Sequence, residues 1–242
     1  MLAVLLVVLA AGYGAAAGAL LPRGAYRLSV AADEPWRDRC PQDHPLPGWA
    51  GPATCKECGG SPYGLRVRLP ATATAAACAA LAAATGPEPE LAVWLLLAPF
   101  GVLLFAVDRA VRRLPDVLTL PLAGAAVALL GGAALVGGAG SWTRALLGGL
   151  ALGAIYFLLF FLNPAGMGFG DVKLALVLGV ALGWYGWDVL FTGSFAGLLL
   201  GAGYAITMLA ARRVGRKTGI AFGPFMIVGA FAGLVVGGLA AG

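Results

Sequence analysis

Charge is scarce in this chain: 11 per cent of its 242 residues are Asp, Glu, Lys or Arg, less than half of the roughly 25 per cent usual in a soluble domain. That scarcity excludes an ordinary soluble globule. No basic run precedes the first apolar segment, which argues for a retained first helix over a secretory signal peptide, although Ala15, Ala16, Ala17 and Gly18 offer small residues near a cleavage point. The basic residues lack aromatic interleaving, so the net charge of +5 is not the footprint of a nucleic-acid surface. No glycine-rich strand-turn-helix loop for a nucleotide is present. Histidine occurs once and cysteine four times, and the histidine and three of the cysteines fall together within 22–69.

What the sequence has in abundance is apolar length. Sixty per cent of the residues are hydrophobic, and stretches able to cross roughly 30 Å of hydrocarbon run at 1–21, 70–86, 91–107, 117–139, 142–162, 172–187, 189–211 and 220–241. The expected fold is therefore an all-α polytopic membrane protein of about eight transmembrane helices with a small cytoplasmic insert. Its parts are a first helix over 1–21, the insert over 22–69 and a membrane helix bundle over 70–242. The insert is too short to bury a core of its own, so a metal or packing against the bundle must order it. Glycines at 148, 149, 179, 183, 197, 201 and 203 suit close helix packing in lipid.

Basic residues in short loops are retained on the cytoplasmic side. With eight spans, Arg23, Arg27, Arg37, Arg39, Lys56, Arg66, Arg68, Arg109, Arg112, Arg113, Lys173, Arg212, Arg213, Arg216 and Lys217 all fall on one side, and Arg144 alone falls on the other. The insert and these loops are thereby expected in the cytoplasm, with both termini outside.

Three carboxylates stand where a span meets that face: Asp108, Asp116 and Asp171. An acid beside hydrocarbon costs several kcal/mol, which marks it for function. Asp116 has a structural explanation, because it follows Pro115 at a helix start and complements the helix dipole. Asp108 ends a helix, where the dipole disfavours a negative charge; an interfacial ion pair with Arg109, Arg112 or Arg113 is its alternative role. Asp171 is flanked by Gly168 and Gly170, which suggests a backbone that bends or is closely approached, as by a peptide substrate. Two acids brought together share one proton, so that one serves as base toward a water and the other as acid toward a carbonyl oxygen.

The segment Gly168-Phe169-Gly170-Asp171-Val172-Lys173-Leu174 resembles the GxGDxKL motif of prepilin peptidases, membrane aspartyl proteases that remove the basic leader of type IV pilins and pseudopilins. Residues 108–121, running from Asp108 through Leu114-Pro115-Asp116 to Leu120-Pro121, resemble the family's upstream aspartate stretch. Phe222-Gly223-Pro224-Phe225 resembles its PFGPF element, within 222–225. The resemblance implies Asp108 and Asp171 as the catalytic pair, with Asp116, Gly168, Gly170 and Lys173 supporting the motif or the substrate. It also implies an inner-membrane, multi-pass enzyme whose partners are prepilin or pseudopilin precursors and the lipid bilayer, with no nucleic acid and no cofactor for proteolysis.

The N-terminal region is similar to the family's more loosely, through Gly18-Ala19-Leu20-Leu21, Tyr26-Arg27-Leu28 and Cys55-Lys56-Glu57-Cys58-Gly59. Pro22 stands where the family has Asn. The family's bacterial members carry two Cys-x-x-Cys pairs resembling a zinc site; here the first is reduced to Cys40-Pro41-Gln42-Asp43-His44. Cys40, His44, Cys55 and Cys58 would make a Cys3His structural zinc set, the alternative being a decayed site with free thiols, while Cys78 reads as packing. Many members also methylate the new N-terminus, so S-adenosylmethionine enters only if that activity is retained. Rival readings are a presenilin-like intramembrane protease, whose partner Asp lies deeper in a span, an ion-coupled transporter, against which the lack of an inverted repeat of Asp-bearing broken helices counts, and a non-enzymatic subunit of a secretion apparatus.

Overall fold

A computed structural model describes residues 1–31, 34–164, 166–211 and 221–242. The expected loop basic residues Arg212, Arg213, Arg216 and Lys217 lie outside the described residues. Helices α1 (Leu2–Ala19) and α2 (Leu21–Leu28) lead into a segment holding the hairpin β1 (Thr54–Cys55) and β2 (Ser61–Pro62). There follow α3 (Arg68–Thr85), α4 (Glu90–Val111), α5 (Asp116–Leu135), α6 (Trp142–Leu162), α7 (Phe169–Tyr185), α8 (Trp187–Ala210) and α9 (Gly223–Ala241). The hairpin is antiparallel, with Thr54 opposite Pro62 and Cys55 opposite Ser61. The chain is thus an all-α integral membrane protein apart from this hairpin.

The number of spans needs correction. Six helices among the described residues, α1, α4, α5, α6, α8 and α9, are long and apolar enough to cross a membrane, against the eight expected. The other two expected positions are occupied by α3 and α7. Helix α3 is mostly alanine, carries three threonines and opens on Arg68, which dilutes its hydropathy. Helix α7 has 17 residues with Asp171 and Lys173 near its start, and 11 of them are buried. It faces protein more than lipid, and it runs through the middle of the bundle between α5, α6, α8 and α9.

Glycine sets the position of α7 and α9. In a bilayer, close van der Waals contact takes over much of what hydrophobic burial does in water, and small residues permit it. Gly148 and Gly149 of α6 meet Gly179 and Gly183 of α7: a Cβ at Gly179 would lie 2.5 Å from the Gly148 carbonyl oxygen and 2.9 Å from the Gly149 Cα. Likewise Gly193 and Gly197 of α8 meet α9, where a Cβ at Gly197 would lie 2.8 Å from the Phe225 carbonyl oxygen. At the opposite end from the Asp171 terminus of α7, Glu90 is fully buried and accepts the Ala139 N–H at 3.2 Å, and Trp94 Nε1 donates to Tyr185 Oη at 3.0 Å.

The α6/α7 contact gives a direct test. Gly179→Leu forces backbone apart and should destabilise the protein by about 3 kcal/mol or more, the upper range of overpacking costs. Gly124→Ala, with nothing within 4 Å of the added atom, should be neutral or slightly stabilising; thermal unfolding in detergent compares the two.

Candidate active site

The end of α4 and the starts of α7 and α9 converge. Helix α4 ends through Arg112 in the left-handed conformation at φ 54°, its N–H donating to the Asp108 carbonyl at 2.7 Å, a common way to close a helix. The chain then turns through Leu114 and Pro115 into α5. Asp108 projects from the last turn of α4 and is 3 per cent exposed. Asp171 lies in the first turn of α7 and is 8 per cent exposed. They are close enough for the Asp108 charge to act on Asp171. The structure therefore brings together the two acids that the sequence singled out.

Each carboxylate meets the amide end of a helix, the end that favours negative charge. Asp171 reaches back over its own terminus, Oδ2 accepting the Gly168 N–H at 3.2 Å. Asp108 uses a neighbour instead. The Gly223 backbone, which opens α9, lies against its carboxylate, so the unfavourable dipole of α4 is countered by the favourable one of α9. A Cβ at Gly223 would lie 2.7 Å from Asp108 Oδ2, which explains why the position is glycine. Asp108 Oδ2 is buried and has no hydrogen-bond partner among the described residues.

Leu114 holds this arrangement, and sequence reasoning missed it. A Cβ at Gly170 would lie 3.0 Å from Leu114 Cβ, and one at Gly223 would lie 3.4 Å from Leu114 Cδ1. Leu114, 5 per cent exposed, is thus wedged between the first turns of α7 and α9. The close approach at Gly170 comes from within the chain. Gly168 is the cap residue of α7 with ordinary extended angles, and nothing lies nearer than 3.6 Å to its added Cβ. Tyr156 of α6 is buried near Asp171 and packs its ring 6.3 Å from Phe222. A tyrosine inside a long apolar helix was the available signal.

Asp116 sits apart from the pair. It occupies the first turn of α5, and its Oδ1 meets Lys173 Nζ at 2.6 Å. Lys173 also lies over the Phe169 ring at 4.8 Å. The two motif residues thereby tie the start of α5 to the start of α7.

The second cluster lies in the segment between α2 and α3. One donor atom from each of Cys40, His44, Cys55 and Cys58 falls within 4.8 Å of every other. His44 Nδ1 is 3.6 Å from Cys40 Sγ, 3.7 Å from Cys55 Sγ and 3.1 Å from Cys58 Sγ, and the Cys40 and Cys58 sulfurs are 3.8 Å apart. Ligands placed tetrahedrally around zinc at its usual bond lengths are separated by about 3.5–3.8 Å. His44 Nε2 faces Glu57 Oε2 at 3.5 Å, the carboxylate support typical of a metal-bound imidazole. Burial opposes ionisation of Cys40, but hydrogen bonds from Gln42, His44 and Cys55 outweigh it and bring the thiol down to about 6. Burial and the neighbouring sulfurs push Cys58 up to about 12. The donor set fits a Cys/His metal site.

The fold and this site define an all-α integral membrane protein with a buried carboxylate pair at one end of the bundle. A family model described as the type IV leader peptidase family matches residues 95–236, more than half of the chain, a range that contains both acids. The chain belongs to the type IV leader peptidase family. It is 34 per cent identical over 150 residues to a prepilin leader peptidase/N-methyltransferase of Aeromonas salmonicida strain A449, covering 61 per cent of this chain and 48 per cent of the relative. A protein of the same description from Pseudomonas aeruginosa is 30 per cent identical over 145 residues, covering 59 per cent of this chain and 49 per cent of the relative. One from Burkholderia pseudomallei strain K96243 is 32 per cent identical over 219 residues, covering 83 per cent of this chain and 67 per cent of the relative. The chain spans about half the length of the Aeromonas and Pseudomonas relatives. No solved structure matches.

The wedge predicts a contrast between the two motif glycines. Gly170→Ala should cost about 1–3 kcal/mol, because its methyl meets Leu114, whereas Gly168→Ala should cost about 1 kcal/mol or less as a cap substitution. Thermal unfolding of the purified variants in one detergent reads the difference.

Proposed function

We propose that this protein is a membrane aspartyl endopeptidase that removes the leader peptide of type IV prepilin or pseudopilin precursors, with Asp108 and Asp171 as the catalytic pair. The observation that carries the reading is the convergence of these two buried carboxylates within a chain of the type IV leader peptidase family. Two acids facing one another in a dry site hold one proton between them. The ionised member takes a proton from a water that attacks the scissile carbonyl carbon; the protonated member donates to the carbonyl oxygen. Collapse of the resulting diol breaks the C–N bond, and a proton returns to the leaving amine. The unpartnered Oδ2 of Asp108 is the acceptor free to face that water. Gly168, Gly170, Lys173 and Asp116 act by fixing the start of α7.

The enzyme would work in the inner membrane with this end of the bundle in the cytoplasm and both termini outside, an orientation in which α3 and α7 also cross, sheltered within the bundle, so that the basic residues around Asp108 fall on the cytoplasmic side. Cys40, His44, Cys55 and Cys58 would hold a structural zinc, which when bound supplies cross-links to a segment with little core of its own. The relatives' names include an N-methyltransferase activity; the proposal for this chain covers leader cleavage.

Cleavage of a purified precursor, followed by gel shift and mass spectrometry of the new N-terminus, tests the pair. Asp108→Asn and Asp171→Asn should each lower the rate at least about 100-fold, the scale of a lost general acid or base. Asp116→Asn, which breaks an ion pair whose acid is largely exposed, should stay within about tenfold of the parent. Normal cleavage by either of the first two variants would overturn the assignment.

Metal content tests the second cluster. Protein purified without chelator should carry about one zinc per chain by elemental analysis, and Cys55→Ser with Cys58→Ser should reduce it to background. The same double variant should be cut faster by added protease within 39–62, because the released segment opens more often.

A further inference from the structure

An apolar groove in the membrane domain opens one helical turn below the carboxylate pair, with a cavity volume of about 570 Å³. Its upper rim is set by the acids' own helices. Phe105 lies three residues before Asp108, and Leu174 lies three residues after Asp171; both line the groove, and at helical spacing each sits one turn below its acid. From Phe105 down to Trp94, also a lining residue, α4 runs 11 residues, or about 16 Å at the helical rise. The groove therefore starts one turn below the acids and continues for three turns away from them.

Its walls differ in kind. On one side α3 presents Ala73, Ala76, Ala77 and Ala80, two interleaved pairs four residues apart, the small-residue spacing that lets another helix backbone approach in lipid. On the other side Phe231 of α9 and the buried floor of α7 are bulkier. Ala73 and Ala76 are exposed among the described residues, so the groove opens sideways toward lipid. Gly101 of α4, also in the lining, has Ile227 Cγ2 at 3.9 Å from its added Cβ and nothing nearer, so it leaves space that its own fold does not use.

We propose that this groove receives one face of the apolar helix that follows the leader in the precursor, so that the scissile bond is delivered to Asp108 and Asp171 while the helix lies against α3. This rests on the peptidase reading above. Continuity with the acids selects the occupant: a membrane helix that begins at the cleavage point must run downward from the pair, and the groove is the path whose rim comes from both acid-bearing helices. The alanine face provides for a helix backbone, whereas an acyl chain has no need of a flat wall beginning beneath two carboxylates. Substrate choice would then depend on the side chains this wall admits, which makes Ala77 and Ala80 specificity-determining positions.

The test uses the full-length protein in lipid nanodiscs with a fluorescently labelled full-length precursor. Ala77→Trp should weaken precursor binding more than tenfold and raise KM with kcat within twofold, and Leu199→Trp, on the exposed face of α8, should change neither. A photoreactive benzoylphenylalanine placed at position 80 should cross-link to the precursor's apolar helix. Unchanged binding by Ala77→Trp, or cross-links to lipid alone with precursor present, would overturn the groove. If the parent protein binds and cross-links the precursor here without cleaving it, the peptidase reading fails and the groove stands. Failure of the parent protein to bind the precursor overturns the groove as well.

Discussion

A carboxylate at the edge of hydrocarbon has to be compensated locally, and the architecture around Asp108 and Asp171 follows from how that is done. Each acid meets helix-terminal amides, which carry partial positive charge without adding a mobile cation. Asp171 is served by the start of α7, on which it sits. Asp108 is at the wrong end of its own helix and is served by the start of α9. Both arrangements require the beginnings of α7 and α9 to come within van der Waals reach of the turn after α4, where Leu114 occupies the space between them. Gly170 and Gly223 are glycines because a side chain there would meet Leu114 in one case and the Asp108 carboxylate in the other. The glycine seams between α6 and α7 and between α8 and α9 hold the two helices in that register from the far side.

Much of this was legible before the fold was in view, and the limits are informative. Hydrophobic length located every long helix, but it gave eight spans where six helices among the described residues have the length and apolarity of one; α3 and α7, sheltered by the bundle, need less of both than helices facing lipid. Choosing Asp108 over Asp116 rested on the dipole of a single helix. That logic ranked the two acids but missed the remedy, since the compensating terminus belongs to a helix more than 100 residues later. Leu114 gave no signal at all, being one leucine among many. The cysteine segment is the converse case: His44 stands four residues after Cys40 where a second cysteine pair would read more clearly, yet its Nδ1 faces all three thiols.

The arginines carry a second role that charge counting does not reveal. Arg23 of α2 donates to the Ala50 and Pro52 carbonyls and to that of Pro47, Arg27 donates to Gly48 at 2.8 Å and lies over the Trp49 ring, and Arg113 donates to the Ala31 carbonyl at 2.6 Å. These bonds fasten the segment after α2 to the helices beside it. The segment thereby acquires by attachment the order its small core of Cys40, Leu46 and Cys55 could not supply alone. A metal at the Cys/His cluster would stiffen a part already tethered through α2 and through the turn after Asp108.

Lys173 completes the electrostatics of the proposed mechanism. A cation in the first turn of a helix opposes the dipole, and here it lies two residues from Asp171, the acid that would exchange protons in that mechanism. Its side chain turns away from that acid, toward Asp116 at 2.6 Å and the Phe169 ring. The charge that Asp171 meets is therefore that of Asp108, while the Lys173 charge is spent on the start of α5. This separates the three carboxylates by physical role. Two share a dry space and so can share a proton; the third, largely exposed and paired with a lysine, keeps that lysine from joining them.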